Sequence, residues 1–116
     1  MLNIIKSFKY AIEGLWAGII TQRNMKIHIL IAVAVIILGC VLEISKWEWI
    51  TCIILIGLVI SAELMNTAVE AVVDMVTSEQ SPKAKLAKDT AAGAVLIVSI
   101  TAAIVGAVIF LPKLFV

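Results

Sequence analysis

Charged residues are scarce in this chain: they make up 15% of its 116 residues, whereas hydrophobic residues make up 63%. With a mean hydropathy of +1.17, this composition excludes an ordinary soluble domain and is typical of one small integral membrane unit. The formal net charge is only +1, and neither terminus carries an acidic or basic tail. We therefore expect no nucleic-acid partner, because such proteins present a basic patch or stripe.

Cysteine is also rare. The two that occur, Cys40 and Cys52, lie in apolar runs on either side of a short polar segment. A disulfide across that segment is one alternative, but buried free thiols are the preferred interpretation. The two cysteines do not indicate a redox compartment. We expect no cleavable signal peptide, because Lys6, Lys9 and Glu13 interrupt the N-terminal apolar stretch.

Apolar runs predict an all-α integral membrane protein. Residues 2–20 have helical periodicity with lysines on one face, which predicts an amphipathic helix lying in the membrane interface, with Trp16 at headgroup depth. Three longer apolar segments predict transmembrane helices at about 25–42, 47–77 and 82–111. Ser81 and Pro82 have the residue types of a helix start, and Pro112 predicts the end of the last helix.

Lysine and arginine are distributed unevenly around these spans. One side holds seven of them: Lys6, Lys9, Arg23, Lys26, Lys83, Lys85 and Lys88. Only Lys46 and Lys113 lie on the other side, so the positive-inside rule predicts that the side with seven faces the cytoplasm. His28, the only histidine, lies at the mouth of the first span. There we interpret it as an interfacial anchor rather than a ligand.

A stripe of polar side chains enters the second predicted span. Glu63, Asn66, Glu70 and Asp74 recur at helical spacing, so they share one face over roughly 16 Å. Carboxylates at membrane depth are costly and by default indicate a functional site. Cations or protons must neutralise them, and a bound metal is the obvious candidate. The alternative is a structural polar seam between helices, although such a seam needs one polar residue rather than four.

The residue types in and near this stripe suggest phosphoryl transfer. Carboxylates bind Mg²⁺ through hard oxygen ligands, and another carboxylate accepts a proton from a hydroxyl. Lys88 and neighbouring lysines contact phosphate oxygens as point charges. The chain has no Walker-A segment and no glycine-rich phosphate loop. From the residues alone, a small cation carrier and a helical assembly subunit therefore remain alternatives to an enzyme.

The stripe is part of a longer pattern that resembles the prokaryotic diacylglycerol kinase family. The pattern consists of ELMNTAVEAVVD at 63–74, AKD at 87–89 and AAGAVL at 91–96. The link RNMKIH at 23–28 and the ending FLPK at 110–113 resemble the Gram-positive branch, whose members act mainly as undecaprenol kinases. The resemblance covers essentially the whole chain, as a single lipid kinase domain over residues 1–116.

The resemblance implies a homotrimer in the bacterial plasma membrane, with one surface helix and three transmembrane helices per subunit. Its active sites would be shared between neighbours at the cytoplasmic interface. The reaction it implies is Mg²⁺-dependent transfer of phosphate from ATP to a membrane lipid hydroxyl, with undecaprenol favoured and diacylglycerol as the alternative.

The resemblance also implies roles for individual residues. Glu63 would bind the lipid hydroxyl and take its proton, Asn66 would position the reacting groups, and Glu70 would bind the metal. Asp74 would have a supporting role. The residues expected to contact ATP are Tyr10, Glu79, Gln80, Ser81, Lys88 and Asp89.

Two positions depart from the family pattern. Gln22 stands where the family usually has a glutamate that is the second acidic metal ligand. Glutamine still offers a carbonyl oxygen but brings no negative charge, so we expect weaker Mg²⁺ binding. Asn3 stands where enterobacterial relatives have an arginine near the nucleotide, and Lys6 is the candidate to replace that arginine.

Overall fold

The structure, a computed structural model, describes residues 2–115 and consists of four helices. These are α1 (Leu2–Thr21), α2 (Arg23–Val41), α3 (Lys46–Val76) and α4 (Pro82–Leu114). Between residues 2 and 115 there is no strand. By length and composition, α2, α3 and α4 are each able to cross a membrane. The protein is therefore an all-α multi-pass membrane protein, as predicted. The domain predicted for residues 1–116 extends one residue beyond the described range at each end.

Two helix ends differ from those that the sequence predicted. The segment at 23–28 is the first part of α2 rather than a separate link, because only Gln22, in an extended conformation, separates α1 from α2. At the other end, α4 continues through Pro112 to Leu114. Proline removes one backbone donor, but only Lys113 and Leu114 follow it in the helix, so little helix lies beyond the lost bond. The Phe115 N–H still donates to the Leu111 carbonyl at 3.2 Å.

α3 and α4 form an antiparallel pair whose two ends are each joined by an ion pair. At one end, Lys113 Nζ lies 3.3 Å from Glu48 Oε1. At the other end, Lys88 Nζ lies 2.7 Å from Asp74 Oδ1. Glu48 lies in the first turn of α3 and Lys113 in the last turn of α4, so the two helices lie alongside each other over nearly their whole length. The end of α3 and the start of α4 therefore meet on the side predicted to be cytoplasmic.

Side-chain caps fix the starts of both helices. The Ser45 hydroxyl accepts from the Glu48 N–H at 3.2 Å, and the Glu48 carboxylate accepts from the Ser45 N–H at 2.9 Å. This reciprocal capping box satisfies two donors that a helix start otherwise leaves free. Ser81 caps α4 as predicted, because its hydroxyl accepts from the Ala84 N–H at 3.1 Å. Pro82 follows it in the first turn.

The main cluster of buried apolar side chains is small and lies toward the end of the α3–α4 pair that carries Glu48 and Lys113. It contains Ile44, Cys52, Ile109 and Phe110. Cys52 is a buried free thiol, as preferred from the sequence, whereas Cys40 is free but exposed, so its predicted burial was wrong. Large apolar side chains on all four helices are exposed instead. An outward-facing apolar surface of this kind suits a lipid environment, where no water drives those side chains inward.

Close packing between α2 and α3 makes Gly39 sensitive to substitution. A Cβ atom at this position would lie 2.7 Å from the Trp49 ring and 3.1 Å from Ile44 Cδ1. We expect Gly39→Ala to lower the free energy of unfolding by about 1–3 kcal/mol, as overpacking typically does. Thermal melting of the purified protein in detergent measures this. Gly57→Ala is the control, because nothing lies within 4 Å of its added Cβ. Equal melting temperatures for the two variants would contradict the packing described for Gly39.

Candidate active site

The first half of the polar stripe is buried inside the chain. Glu63 is 1% exposed and Asn66 is 7% exposed, and they are the buried polar side chains among the described residues. α1 approaches α3 at Gly18, where a Cβ atom would lie 2.9 Å from Leu64 Cδ2. The absence of a side chain at Gly18 allows α1 to approach α3 closely beside Glu63, and this approach helps to bury the carboxylate.

α2 brings the single histidine to this carboxylate. Met25 and Ala32 are both buried, and they lie about one helical turn before and after His28 on the same side of α2. The Nε2 atom of His28 lies 3.5 Å from Oε2 of Glu63, and the His28 side chain is only 15% exposed. This position differs from the interfacial anchor that the sequence suggested.

Asn66 is hydrogen-bonded to the next turn of the stripe. Its Nδ2 donates to Oε1 of Glu70 at 3.4 Å, which orients the Asn66 amide along the helix. Oε2 of Glu63 and Oδ1 of Asn66 are buried and have no hydrogen-bond partner within residues 2–115. Two oxygen acceptors are thus available for a proton donor or a cation. Asp74, at the end of the stripe, is exposed.

A second group of polar residues surrounds a cavity of about 330 Å³ at the turn between α3 and α4. Its polar lining consists of Asp74, Thr77, Ser78, Glu79, Gln80, Lys85, Lys88 and Asp89. Lys88 is paired with Asp74, and Lys85 is paired with Asp89. Four of the residues predicted to contact ATP therefore line one cavity, which combines ammonium groups with carboxylates and exposed loop polar groups.

The remaining predicted residues lie elsewhere. Ser81 uses its hydroxyl to cap α4. Tyr10 lies on α1 with 61% of its surface exposed, and it lines neither this cavity nor the groove described below. Gln22 is half-buried between α1 and α2, and its side chain makes no capping hydrogen bond. The single chain thus assembles part of the predicted site.

The donor set of the chain fits a magnesium ion that arrives with a nucleotide. Within residues 2–115, no three His, Cys, Asp or Glu side chains form a cluster that could hold a metal. Magnesium does not require such a cage, because it is usually bound by one or two carboxylates, waters and the phosphates of its substrate. Glu70, half-buried and hydrogen-bonded to Asn66, is a carboxylate of the kind this arrangement needs.

An apolar groove of about 380 Å³ lies among α2, α3 and α4 and reaches His28. Its lining is aliphatic except for a few groups that include Ser99. The Ser99 hydroxyl oxygen is buried and has no hydrogen-bond partner among the described residues. The antiparallel register of α3 and α4 brings Ser99 level with Glu63. Sequence reasoning missed Ser99, because a single serine in an apolar helix normally bonds to its own backbone. Thr101, two residues later, does so.

Comparison with known proteins gives one consistent relationship. The family model described as prokaryotic diacylglycerol kinase matches residues 9–110. The undecaprenol kinase of Bacillus subtilis is 47% identical over 112 residues, which are 97% of this chain and 91% of that protein. The diacylglycerol kinase of a Synechocystis species is 42% identical over 113 residues, covering 97% of this chain and 65% of that protein. The diacylglycerol kinase of Escherichia coli is 32% identical over 102 residues, which are 88% of this chain and 84% of that protein.

Proposed function

This chain belongs to the prokaryotic diacylglycerol kinase family and is a lipid kinase, and we propose that it phosphorylates undecaprenol. The phosphate donor is ATP, acting with Mg²⁺, and the product is undecaprenyl phosphate. The observation that carries this proposal is the buried Glu63 carboxylate, on the same face of α3 that leads to the cavity around Lys88. Undecaprenol is preferred because the 47% identical relative is an undecaprenol kinase, and diacylglycerol is the alternative acceptor.

Glu63 acts as the general base in this proposal. As the lipid O–H bond breaks, the proton passes to the Glu63 carboxylate and the lipid oxygen bonds to the terminal phosphorus of ATP. The bond between that phosphorus and the ADP oxygen breaks, and ADP leaves. A buried carboxylate suits this role because it lies within a largely water-free interior, where positioned proton transfer is effective. Asn66, held by Glu70, orients the reacting groups.

The cavity between α3 and α4 receives the nucleotide. Lys88 contacts phosphate oxygens as a point charge, and Asp74 keeps its ammonium group in place at 2.7 Å. Asp89, Glu79 and Gln80 line the same cavity and supply further polar contacts to ATP. Tyr10 and Ser81 remain predicted ATP contacts from the family resemblance.

Glu70 and Gln22 are the proposed magnesium ligands. When bound, the ion neutralises charge on the phosphates during transfer. Glu70 contributes a carboxylate, whereas Gln22 contributes a carbonyl oxygen that carries no charge. The chain itself therefore provides less negative charge to the metal than two carboxylates would.

The proposed assembly is a homotrimer of single-domain subunits, residues 1–116, in the bacterial plasma membrane. Its active sites are shared between neighbours and face the cytoplasm. The charge distribution supports this orientation, because the lysines of α1 and of the start of α4 lie at the Glu70–Asp89 end. α1 lies in the interface, and its exposed Ile5, Phe8 and Trp16 suit that depth.

Transfer of labelled phosphate from ATP in mixed micelles tests the proposed function. The purified protein is supplied in parallel with undecaprenol and with diacylglycerol at equal mole fractions. We expect faster labelling of undecaprenol, dependent on Mg²⁺. Faster labelling of diacylglycerol would reverse the substrate assignment, and labelling of neither lipid would refute the function.

Replacing the unusual glutamine tests the metal assignment. We expect Gln22→Glu to lower the Mg²⁺ concentration needed for half-maximal activity and to raise turnover, because a carboxylate adds charge to the site. The measurement is a magnesium titration of initial rates at saturating ATP and lipid. Asn24→Asp is the control for added charge close to Gln22, because Asn24 is exposed and is not a proposed ligand. A magnesium titration unchanged by Gln22→Glu would remove Gln22 from the metal site.

A further inference from the structure

His28 and Glu63 face each other across the contact between α2 and α3. Their Nε2 and Oε2 atoms are 3.5 Å apart, and both side chains are largely removed from the surface. The residues that α4 and α1 bring near this site are uncharged. α4 contributes Ser99 to the groove beside His28, and α1 approaches through Gly18. Within residues 2–115, no other basic side chain is ion-paired with Glu63.

A buried ionised carboxylate is stable only when it is paired or hydrogen-bonded. Asn66 does not meet this need in the structure: one of its amide N–H groups donates to Glu70, and within residues 2–115 Glu63 Oε2 accepts no hydrogen bond. Thr67 does not meet it either, because its hydroxyl donates to the backbone carbonyl of Glu63 rather than to the side chain. His28 is therefore the group in contact with the carboxylate that is able to donate to it.

We propose that His28 is the positioning residue of the Glu63 base. In the reacting complex its Nε2–H donates to Oε2, holds it in one orientation and stabilises the ionised carboxylate, while Oε1 accepts the proton of the lipid hydroxyl. The separation of 3.5 Å exceeds the roughly 2.9 Å of an ideal hydrogen bond. Contacts of this kind are often long in the absence of substrate and shorten in the reacting complex. His28 keeps its own proton throughout, so the transfer remains balanced between the lipid, Glu63 and the phosphates.

This inference rests on the proposed function, because it assigns His28 a role through the Glu63 base. It also explains why the histidine occupies the inner face of α2 instead of an exposed interfacial position. A purely structural role would affect folding, whereas a positioning role affects the rate of the chemical step. The two roles are therefore separated by kinetic constants measured together with stability.

The experiment compares His28→Ala, His28→Gln and the control Leu30→Ala in the full-length protein in mixed micelles. Leu30 lies on the same helix, is 70% exposed and lines neither cavity. Initial rates are measured against ATP and undecaprenol concentration, and melting temperatures are recorded for each variant. We expect His28→Ala to lower kcat by about 10²-fold, at the lower end of general-base contributions, with KM for ATP unchanged. We expect His28→Gln to recover at least tenfold of that loss, because its amide N–H donates.

Several results would overturn the inference. One is an unchanged kcat in His28→Ala; another is a raised KM for undecaprenol with kcat unchanged, which would make His28 a lipid contact. A loss of kcat that His28→Gln does not recover and that accompanies a lowered melting temperature would make the role structural. Glu63→Gln, assayed alongside, separates this from the proposed function. If Glu63→Gln abolishes phosphate transfer while His28→Ala leaves the transfer rate unchanged, the base assignment stands and only the role of His28 is refuted.

Discussion

Glu63→Gln is expected to lower kcat for lipid phosphorylation by about 10²- to 10⁴-fold, the range contributed by a positioned general base. The amide keeps the size of the side chain and its place on α3 but accepts no proton from the lipid hydroxyl. KM for ATP should remain unchanged, because the nucleotide cavity is lined by residues at the far end of α3 and the start of α4. Initial rates of phosphate transfer to undecaprenol measure both constants.

The matched control for this prediction is Glu43→Gln. It also neutralises one glutamate. Glu43, however, is exposed in the turn before α3, at the end of that helix away from the nucleotide cavity. Its activity should equal that of the unmodified protein. Full activity in Glu63→Gln would rule out the proposed base, and equal losses in both variants would mean that the assay reports net charge.

Lys88→Met is expected to lower kcat/KM for ATP by about 10- to 150-fold. A hydrogen bond to a charged group contributes about 1.5–3 kcal/mol, and each 1.36 kcal/mol corresponds to a tenfold change in rate. Methionine keeps the length of the side chain and removes the ammonium group that faces the cavity. The melting temperature should change little, because the Asp74 partner is exposed and exposed ion pairs contribute only about 0–1 kcal/mol.

Lys83→Met is the control for the loss of a lysine. Lys83 is also exposed on the first turns of α4, but it does not line the cavity. Its kcat/KM should be close to that of the unmodified protein. If both lysines contributed equally, the effect would come from the general positive field of this surface and not from a phosphate contact at Lys88.

The helices and the inward-facing part of the stripe follow from the sequence alone. The spacing of Glu63 and Asn66 predicted one shared helix face, and the structure buries both residues on α3. Ser81 and Pro82 predicted the start of α4 through local backbone chemistry, which does not depend on the rest of the fold. Features determined within one or two helical turns were therefore predictable.

Contacts between helices were not predictable in the same way. Periodicity shows which face of a helix carries a residue, but it does not show which helix packs there or at what height. The contact between His28 and Glu63 depends on the close approach of α2 to α3, and the position of Ser99 depends on the register of α3 against α4. Pro112 was misjudged for a different reason: it removes one backbone donor, but only two helical residues follow it in α4, so little helix lies beyond the lost bond.

The central claim is that the polar stripe of α3 and the cavity at Lys88 form one site that binds ATP beside a membrane alcohol. An experimental structure of the membrane-embedded protein with a non-hydrolysable ATP analogue and Mg²⁺ tests this claim most directly. We expect the phosphates to contact Lys88, with the metal at Glu70 and the terminal phosphate within reach of Glu63 in the assembled protein. A nucleotide bound away from Lys88, or Glu63 and Glu70 facing acyl chains far from Lys88 of every subunit, would contradict the account.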